Sequence, residues 1–318
     1  MNLQRNFSRI AIVCLLAAIC TSAQAQSYPA GPVKFITPMT AGGGTDPAMR
    51  IIVNELGRMW GQQTVLVNQP GATGAIAARA AAASAPDGYT LYLPIASTFT
   101  TLPVTQPHLP FNVDDFAPIG FAGEVPFGVA VSPALGVNSL AELIAVSKER
   151  PGGLNLAVFN RGGATHLAAE LLRARSGAQL TMVFYPGVAQ AMSDVISSRV
   201  HVFIDGAAIS APNLKLLATT SATRLASHPD VPTVSETLPD FAASGWFVLV
   251  APPRTPASIA NKVSTDLRTA LAQPEVKEKF SALAVSSRPM TPQQLAEFIR
   301  SEQQLWHPMI KQIGLASQ

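Results

Sequence analysis

Apolar positions follow two alternating rhythms along this chain. Short apolar runs bounded by turn residues, such as "VKFIT" (33–37) and "TVLVN" (64–68), read as strands. Longer stretches carry a helical period. From Pro47 to about Trp60, Ile52, Leu56 and Met59 share one face. An alanine-rich helix is expected over about 75–84. A strand from Tyr89 to Leu93 follows the Asp87-Gly88 turn. Beyond a proline-broken section (103–118), "FGVAVS" reads as the next strand. Ser139, with Glu142 three residues on, then opens a helix as a capping box. "LNLAVF", "TMVFY", "VHVFID", "LKLLATT" and "GWFVLVAPP" supply further strands. The tail reads as helical, with Thr255-Pro256 and Thr291-Pro292 as N-cap and N1 pairs. The alternation predicts an α/β protein with mostly parallel sheets, and 318 residues suit two lobes or one large domain.

The first 25 residues stand outside this rhythm. Arg5 and Arg9 precede the eleven-residue apolar run "IAIVCLLAAIC", too short to cross a bilayer, and "AQA" (23–25) is a small-x-small cleavage site. The segment reads as a secretory signal peptide cut after Ala25, which places the protein in the periplasm. Neither Cys14 nor Cys20 follows the small residue that lipidation needs, so a free soluble protein is expected. Both cysteines leave with the leader. The mature chain then has no disulfide, thiol nucleophile or cysteine metal site. Its balance becomes 20 basic against 19 acidic residues, which gives no reason to expect nucleic acid as a partner.

The chemistry of interest lies in glycine loops between strands and helices. In "TPMTAGGGTDPAMR" (37–50), Asp46 reads as a helix N-cap with Pro47 at N1. A helix N-terminus carries unpaired N–H donors and a partial positive charge, and glycines let a ligand approach the backbone closely. The loop can therefore hold an anion without a lysine. It lacks the lysine of a phosphate-binding P-loop. It also lacks the glycine spacing and distal acid of a dinucleotide fingerprint, so no nucleotide or other cofactor is expected. "PGATG" (70–74), "NRGGATH" (160–166) and "YPGVAQ" (185–190) are similar turns. In an open parallel sheet such loops gather at the carboxyl ends of the strands, where ligands bind. Several neutral helix ends facing one cleft suit a carboxylate.

Five segments in order, "TPMTAGGGTD", "GATGAIAARAAAASAPDGYTLYL", "ATHLAAELL", "HPDVPTVSE" and "GWFVLVAPPRTPASI", resemble the Bug-type extracytoplasmic solute receptors. These are the substrate-binding proteins of tripartite tricarboxylate transporters, and the likeness runs along nearly all of the mature chain. The resemblance implies a type II periplasmic binding-protein fold. Lobe one would span 26–127 and 246–318 and lobe two 128–245, with crossings near Phe127 and Trp246. It further implies a monomer that captures a small carboxylate between the lobes, largely through backbone amides and water, and presents it to membrane transporter subunits. A membrane sensor kinase is the alternative partner.

Carried over by position, the resemblance makes Met39, Gly42, Gly43, Gly44, Thr45 and Asp46 the first ligand wall. The Gly42 to Thr45 amides would be its donors. Ala96, Ser97 and Thr98 form a second wall, and Gly162, Gly163, Ala164 and His166 a third. Tyr185 and Gly187 match a tyrosine-x-glycine pair, and Asp205 an aspartate at a strand end. Some positions depart from the family pattern. Pro186 stands where a lysine is frequent, Gly163 where a hydroxyl is usual, Pro94-Ile95-Ala96 in place of Gly-Thr-Ser, and Met39 in place of phenylalanine. The stretch 207–220 is about four residues shorter than usual. These changes imply either a pocket with fewer polar side chains, suited to a smaller or more apolar acid, or a drifted receptor that binds weakly or not at all.

Single residues admit two readings. Arg161 is either a surface arginine or a bidentate carboxylate clamp. His166 is either a hydrogen-bonded packing residue or a ligand contact. Asp205 caps the next turn or faces the cleft, and Trp246 is expected to pack at the hinge. The five histidines show no metal-binding spacing, and no G-x-S-x-G elbow or thiol marks an enzyme, leaving a hydrolase as the remote alternative.

Overall fold

The computed structural model describes residues 28–315 apart from 160, 186, 226 and 242. The expected signal peptide and its cleavage site lie outside these residues. Two five-stranded sheets carry the fold. The first has the order β2-β1-β3-β10-β4, from β1 (Val33–Thr37), β2 (Thr64–Asn68), β3 (Thr90–Tyr92), β4 (Ala117–Pro126) and β10 (Ser244–Ala251). The second has the order β7-β6-β8-β5-β9, from β5 (Gly128–Val131), β6 (Leu154–Phe159), β7 (Leu180–Tyr185), β8 (Val202–Asp205) and β9 (Lys215–Thr219).

The sheets are mixed, which corrects the expectation of mostly parallel ones. β1 pairs in parallel with β2 and β3, and β6 with β7 and β8. β10 runs antiparallel to both β3 and β4, and β5 to both β8 and β9. These antiparallel strands are the ones that pass between the sheets. Only Phe127 separates β4 from β5, and the chain returns between β9 and β10. The passage is pinned by reciprocal bonds. Phe127 N–H donates to Thr220 Oγ1, and Thr220 N–H to the Phe127 carbonyl, both at 2.8 Å.

Helices cover both faces of each sheet. On the first sheet, α1 (Asp46–Trp60), α8 (Ala257–Ala272) and α9 (Pro274–Ala282) bury Met49, Ile52, Leu56, Leu267 and Phe280 on one side. On the other side, α2 (Ala75–Ala82), α3 (Ala96–Thr100) and α4 (Leu102–Thr105) pack around Tyr92, Phe99 and Trp246. The second sheet is flanked by α5 (Leu140–Glu149) and α6 (Ala164–Ser176) on one face and α7 (Val188–Ile196) on the other. The last helix, α10 (Pro292–Gln312), serves both cores: Leu295 and Ile299 pack on the first sheet, Trp306 and Ile310 on the second. Trp246 is buried, stacked on Phe99 at 6.2 Å, and donates to Glu302 on α10 at 2.7 Å.

Two helix starts differ from the sequence reading. The N-cap of α8 is Pro256, one residue late, because the Thr255 hydroxyl turns back to the Pro252 carbonyl at 2.8 Å. At α5, Ser139 accepts from Glu142 N–H as a cap should, but the Glu142 carboxylate accepts from Asn138 N–H. Thr291 and Pro292 form the expected cap of α10, completed by Gln294.

Candidate functional site

Parallel pairing of β1, β2 and β3 brings the loops that follow them to one rim. They touch at Gly74. A Cβ there would lie 3.2 Å from Thr98 Oγ1 and 3.5 Å from Pro38 Cβ, and its φ of +92° suits glycine. Ala96, Ser97 and Thr98 are buried in the first turn of α3 beside this junction, and half-buried Met39 stands at the foot of the glycine loop.

A buried carboxylate holds the glycine loop from within. Thr45 is the N-cap of α1 and Asp46 its first residue, a shift of one from the sequence reading. Asp46 does not cap the helix amides. Its Oδ2 accepts from the Gly42 amide at 2.8 Å and from Arg50 Nε at 2.9 Å, and its Oδ1 accepts from Asn68 Nδ2 at 2.7 Å. Asn68 also donates to the Met39 carbonyl at 3.0 Å and accepts from Arg50 at 2.8 Å. Burial alone would raise the Asp46 carboxyl. The bonds from Asn68, Gly42 and Arg50 outweigh it and hold the group below the ordinary carboxylate range.

This cage decides which amides remain available. The Gly42 amide is taken by Asp46, and the Gly43 amide by the Thr40 carbonyl at 3.1 Å. Among the described residues, no partner engages the amides of Gly44, Thr45 or Ala48. The expected row of donors from Gly42 to Thr45 is therefore reduced to Gly44 and Thr45, with Ala48 added. Thr45 Oγ1 is buried with no hydrogen-bond partner, as is Gln69 Oε1 on the neighbouring loop. Buried polar atoms are nearly always paired, so these two are open to a further group.

On the second sheet the parallel strands β6, β7 and β8 deliver their loops in the same way. Gly163 is the N-cap of α6, which starts at Ala164, and Gly187 is the N-cap of α7. Among the described residues no side chain caps either helix, nor α1, so three helix N-termini present open donors. Arg161 is exposed, with its guanidinium 4.5 Å from the centre of the Phe184 ring. Asp205 caps the short turn 206–210 by accepting from Ala207 N–H at 2.9 Å. Burial pushes its carboxyl up, against the lowering effect of that bond.

Two site residues are turned inward. His166 is buried. Its Nδ1 accepts from Gly162 N–H at 3.0 Å, so the ring proton sits on Nε2, 3.6 Å from Glu170 Oε1. Its Nδ1 is thus engaged inside the lobe, and its Nε2 faces Glu170. The Tyr185 hydroxyl donates to Asp194 at 2.8 Å; burial first, and then this bond, pushes it up to about 12. Sequence reasoning missed Thr101, whose hydroxyl reaches from the first sheet's helices to the Gly162 carbonyl at 2.6 Å. It lies in the hydroxyl-rich run "STFTT", where no local signal sets it apart.

A separate cavity of about 400 Å³ lies behind the crossing strands, lined by Glu124, Arg288, Phe298 and Glu302 among others and by none of the glycine loops. Among the described residues, no group of three His, Cys, Asp or Glu is placed to hold a metal, and no helix is long and apolar enough to cross a membrane.

The family model described as "Tripartite tricarboxylate transporter family receptor" matches residues 48–315. Protein BugT of Bordetella pertussis is 34% identical over 322 residues, covering 99% of each chain. Two solved structures are similar in fold and sequence. An R. palustris protein with adipate has a TM-score of 0.80 and 29% identity, covering 92% of this chain and 100% of that one. MatC from Rhodopseudomonas palustris with bound malate has a TM-score of 0.75 and 28% identity, covering 89% and 100%.

Proposed function

The chain belongs to the tripartite tricarboxylate transporter receptor family, periplasmic solute-binding proteins of two-lobed α/β fold, and on that premise we propose that it captures a small organic acid and delivers it to a membrane transporter. The lobes are residues 26–127 with 246–318, and 128–245. The acid lies between them and the protein acts by binding alone, after export and removal of residues 1–25.

The observation that carries this reading is the pair of free amides at Gly44 and Thr45 beside the unpartnered Thr45 hydroxyl, all at the uncapped start of α1. One carboxylate sits there, with Ser97 and Thr98 beside it. The N-termini of α6 and α7, at Gly163-Ala164 and Gly187, close on the rest of the molecule, with Arg161 and Asp205 at their edge. Neutral donors suffice for an anion because closure excludes water and strengthens each contact. The adipate and malate bound by the two similar proteins support acids of this size.

A thermal-shift panel tests the reading. Adipate, malate, citrate, benzoate and neutral sugars would be compared on the purified protein. A shift confined to one class of acid supports it. A shift with sugars and none with acids overturns it.

A further inference from the structure

We propose that Thr101 is the latch between the lobes: the bond from its hydroxyl to the Gly162 carbonyl stabilises the closed arrangement directly, without passing through the ligand. The inference rests on the two-lobed binding reading above and adds to it the residue that sets how much of the protein is closed before an acid arrives.

The bond is short, at 2.6 Å, and buried, and it joins residues 61 positions apart whose elements pack on different sheets. Both ends are prepared for it. Thr101 lies between α3 and α4. Its amide bonds to the Ser97 carbonyl, and its carbonyl accepts from Thr105, so its side chain stands one turn beyond the proposed ligand wall at Ser97 and Thr98. Gly162 has a φ of +79°, and a Cβ there would lie 2.7 Å from Thr101 Cγ2. Any other residue would push Thr101 away.

A chain inside the second lobe fixes the direction of the Gly162 peptide. Gly162 N–H donates to His166 Nδ1, His166 Nε2 faces Glu170, and Glu170 pairs with Arg173 at 2.6 Å. His166 is thus a positioning residue. It holds the 161–163 loop so that the Gly162 carbonyl points at Thr101 while Gly163 and Ala164 begin α6. The hydroxyl and carbonyl can meet only when the two walls are close. A contact made only in the closed form raises the closed population, and the apparent affinity rises in proportion to that population.

The test uses the mature protein, residues 26–318, carrying spin labels at R79C and K148C, exposed positions on α2 and α5. Interlobe distances are measured without ligand, and acid affinity by calorimetry, for Thr101, T101V and T101S. The latch predicts a longer, broader distance distribution for T101V. It also predicts affinity weaker by about fivefold for the acid that binds the parent protein, with T101S restoring both. H166A should move the distances in the same direction as T101V. Unchanged distances and affinity in T101V, with only a lower melting temperature, would make the bond a plain packing contact and overturn the proposal. If no acid binds the parent protein, the binding reading fails, while the ligand-free distances still decide the latch.

Discussion

Asn68 Nδ2 stands 2.7 Å from Asp46 Oδ1, and through that bond the end of β2 holds the loop that follows β1. The pair explains how a run of three glycines keeps one shape. Free glycines cost backbone entropy on ordering, and here a buried carboxylate with three tethers offsets that cost.

Asp46→Ala should destabilise the protein by about 2–3 kcal/mol, below the loss for a fully buried ion pair because Arg50 is half exposed and can rehydrate. The pH dependence has a definite sign. The folded-state pKa of Asp46 is depressed, so its stabilisation is present above the ordinary carboxylate range, about pH 4, and is lost as pH falls through the folded value. Denaturant unfolding at pH 6 and pH 3 should therefore show a smaller acid-induced loss in D46N than in the parent. An equal loss would remove Asp46 from the account of acid stability.

Glu302 works in the opposite sense. Burial pushes its carboxyl up, although Trp246 and Trp306 both donate to its Oε2, at 2.7 and 3.1 Å. A raised carboxyl binds more protons folded than unfolded. Its contribution therefore falls as pH rises from the unfolded value through the folded one. Glu302→Gln keeps an acceptor for both indoles without the buried charge and should leave the melting temperature at pH 7 unchanged or higher. Glu302→Leu leaves two indole donors unpaired and should cost about 1–3 kcal/mol. Equal melting temperatures for the two variants would contradict this.

Much of this frame was legible in the chain. β1 and β2 match their apolar runs residue for residue, because short apolar runs flanked by turn residues carry a local signal. The glycine loops were legible as strand-to-helix turns for the same reason. Strand direction was not. β10 runs antiparallel to β3, and β5 to β8, only through pairings far apart in sequence, and no periodicity records that. An aspartate ahead of a proline looks the same as N-cap or as first helical residue. Asn68 and Arg50, distant or one turn on, decide the outcome at Asp46. Thr101 depends wholly on a residue in the other sheet's layer, so nothing in its own neighbourhood marks it.

Tyr185→Phe separates packing from recognition. With the hydroxyl bound to Asp194, its loss should cost about 0.5–1.5 kcal/mol of stability and leave acid affinity within twofold. A tenfold loss of affinity in calorimetry, at unchanged stability, would place the hydroxyl on the ligand instead.

Arg161→Ala should change stability by under about 0.5 kcal/mol, since the guanidinium is exposed and lies over the Phe184 ring. In the proposed binding mode, with Arg161 at the edge of the acid, its guanidinium should matter most for a second carboxylate. The expected result is a selective loss of dicarboxylate affinity over monocarboxylate affinity, read by paired titrations. Equal losses for both would show that Arg161 discriminates nothing.

The most direct test of the central claim is calorimetric titration of the parent protein and T45V with the acid that gives the largest thermal shift. The account predicts one site per chain in the parent protein. It also predicts roughly tenfold weaker binding in T45V, which keeps the fold but removes the unpartnered hydroxyl at the open start of α1. Equal affinity in T45V, or binding of neutral sugars in preference to every acid, would contradict it.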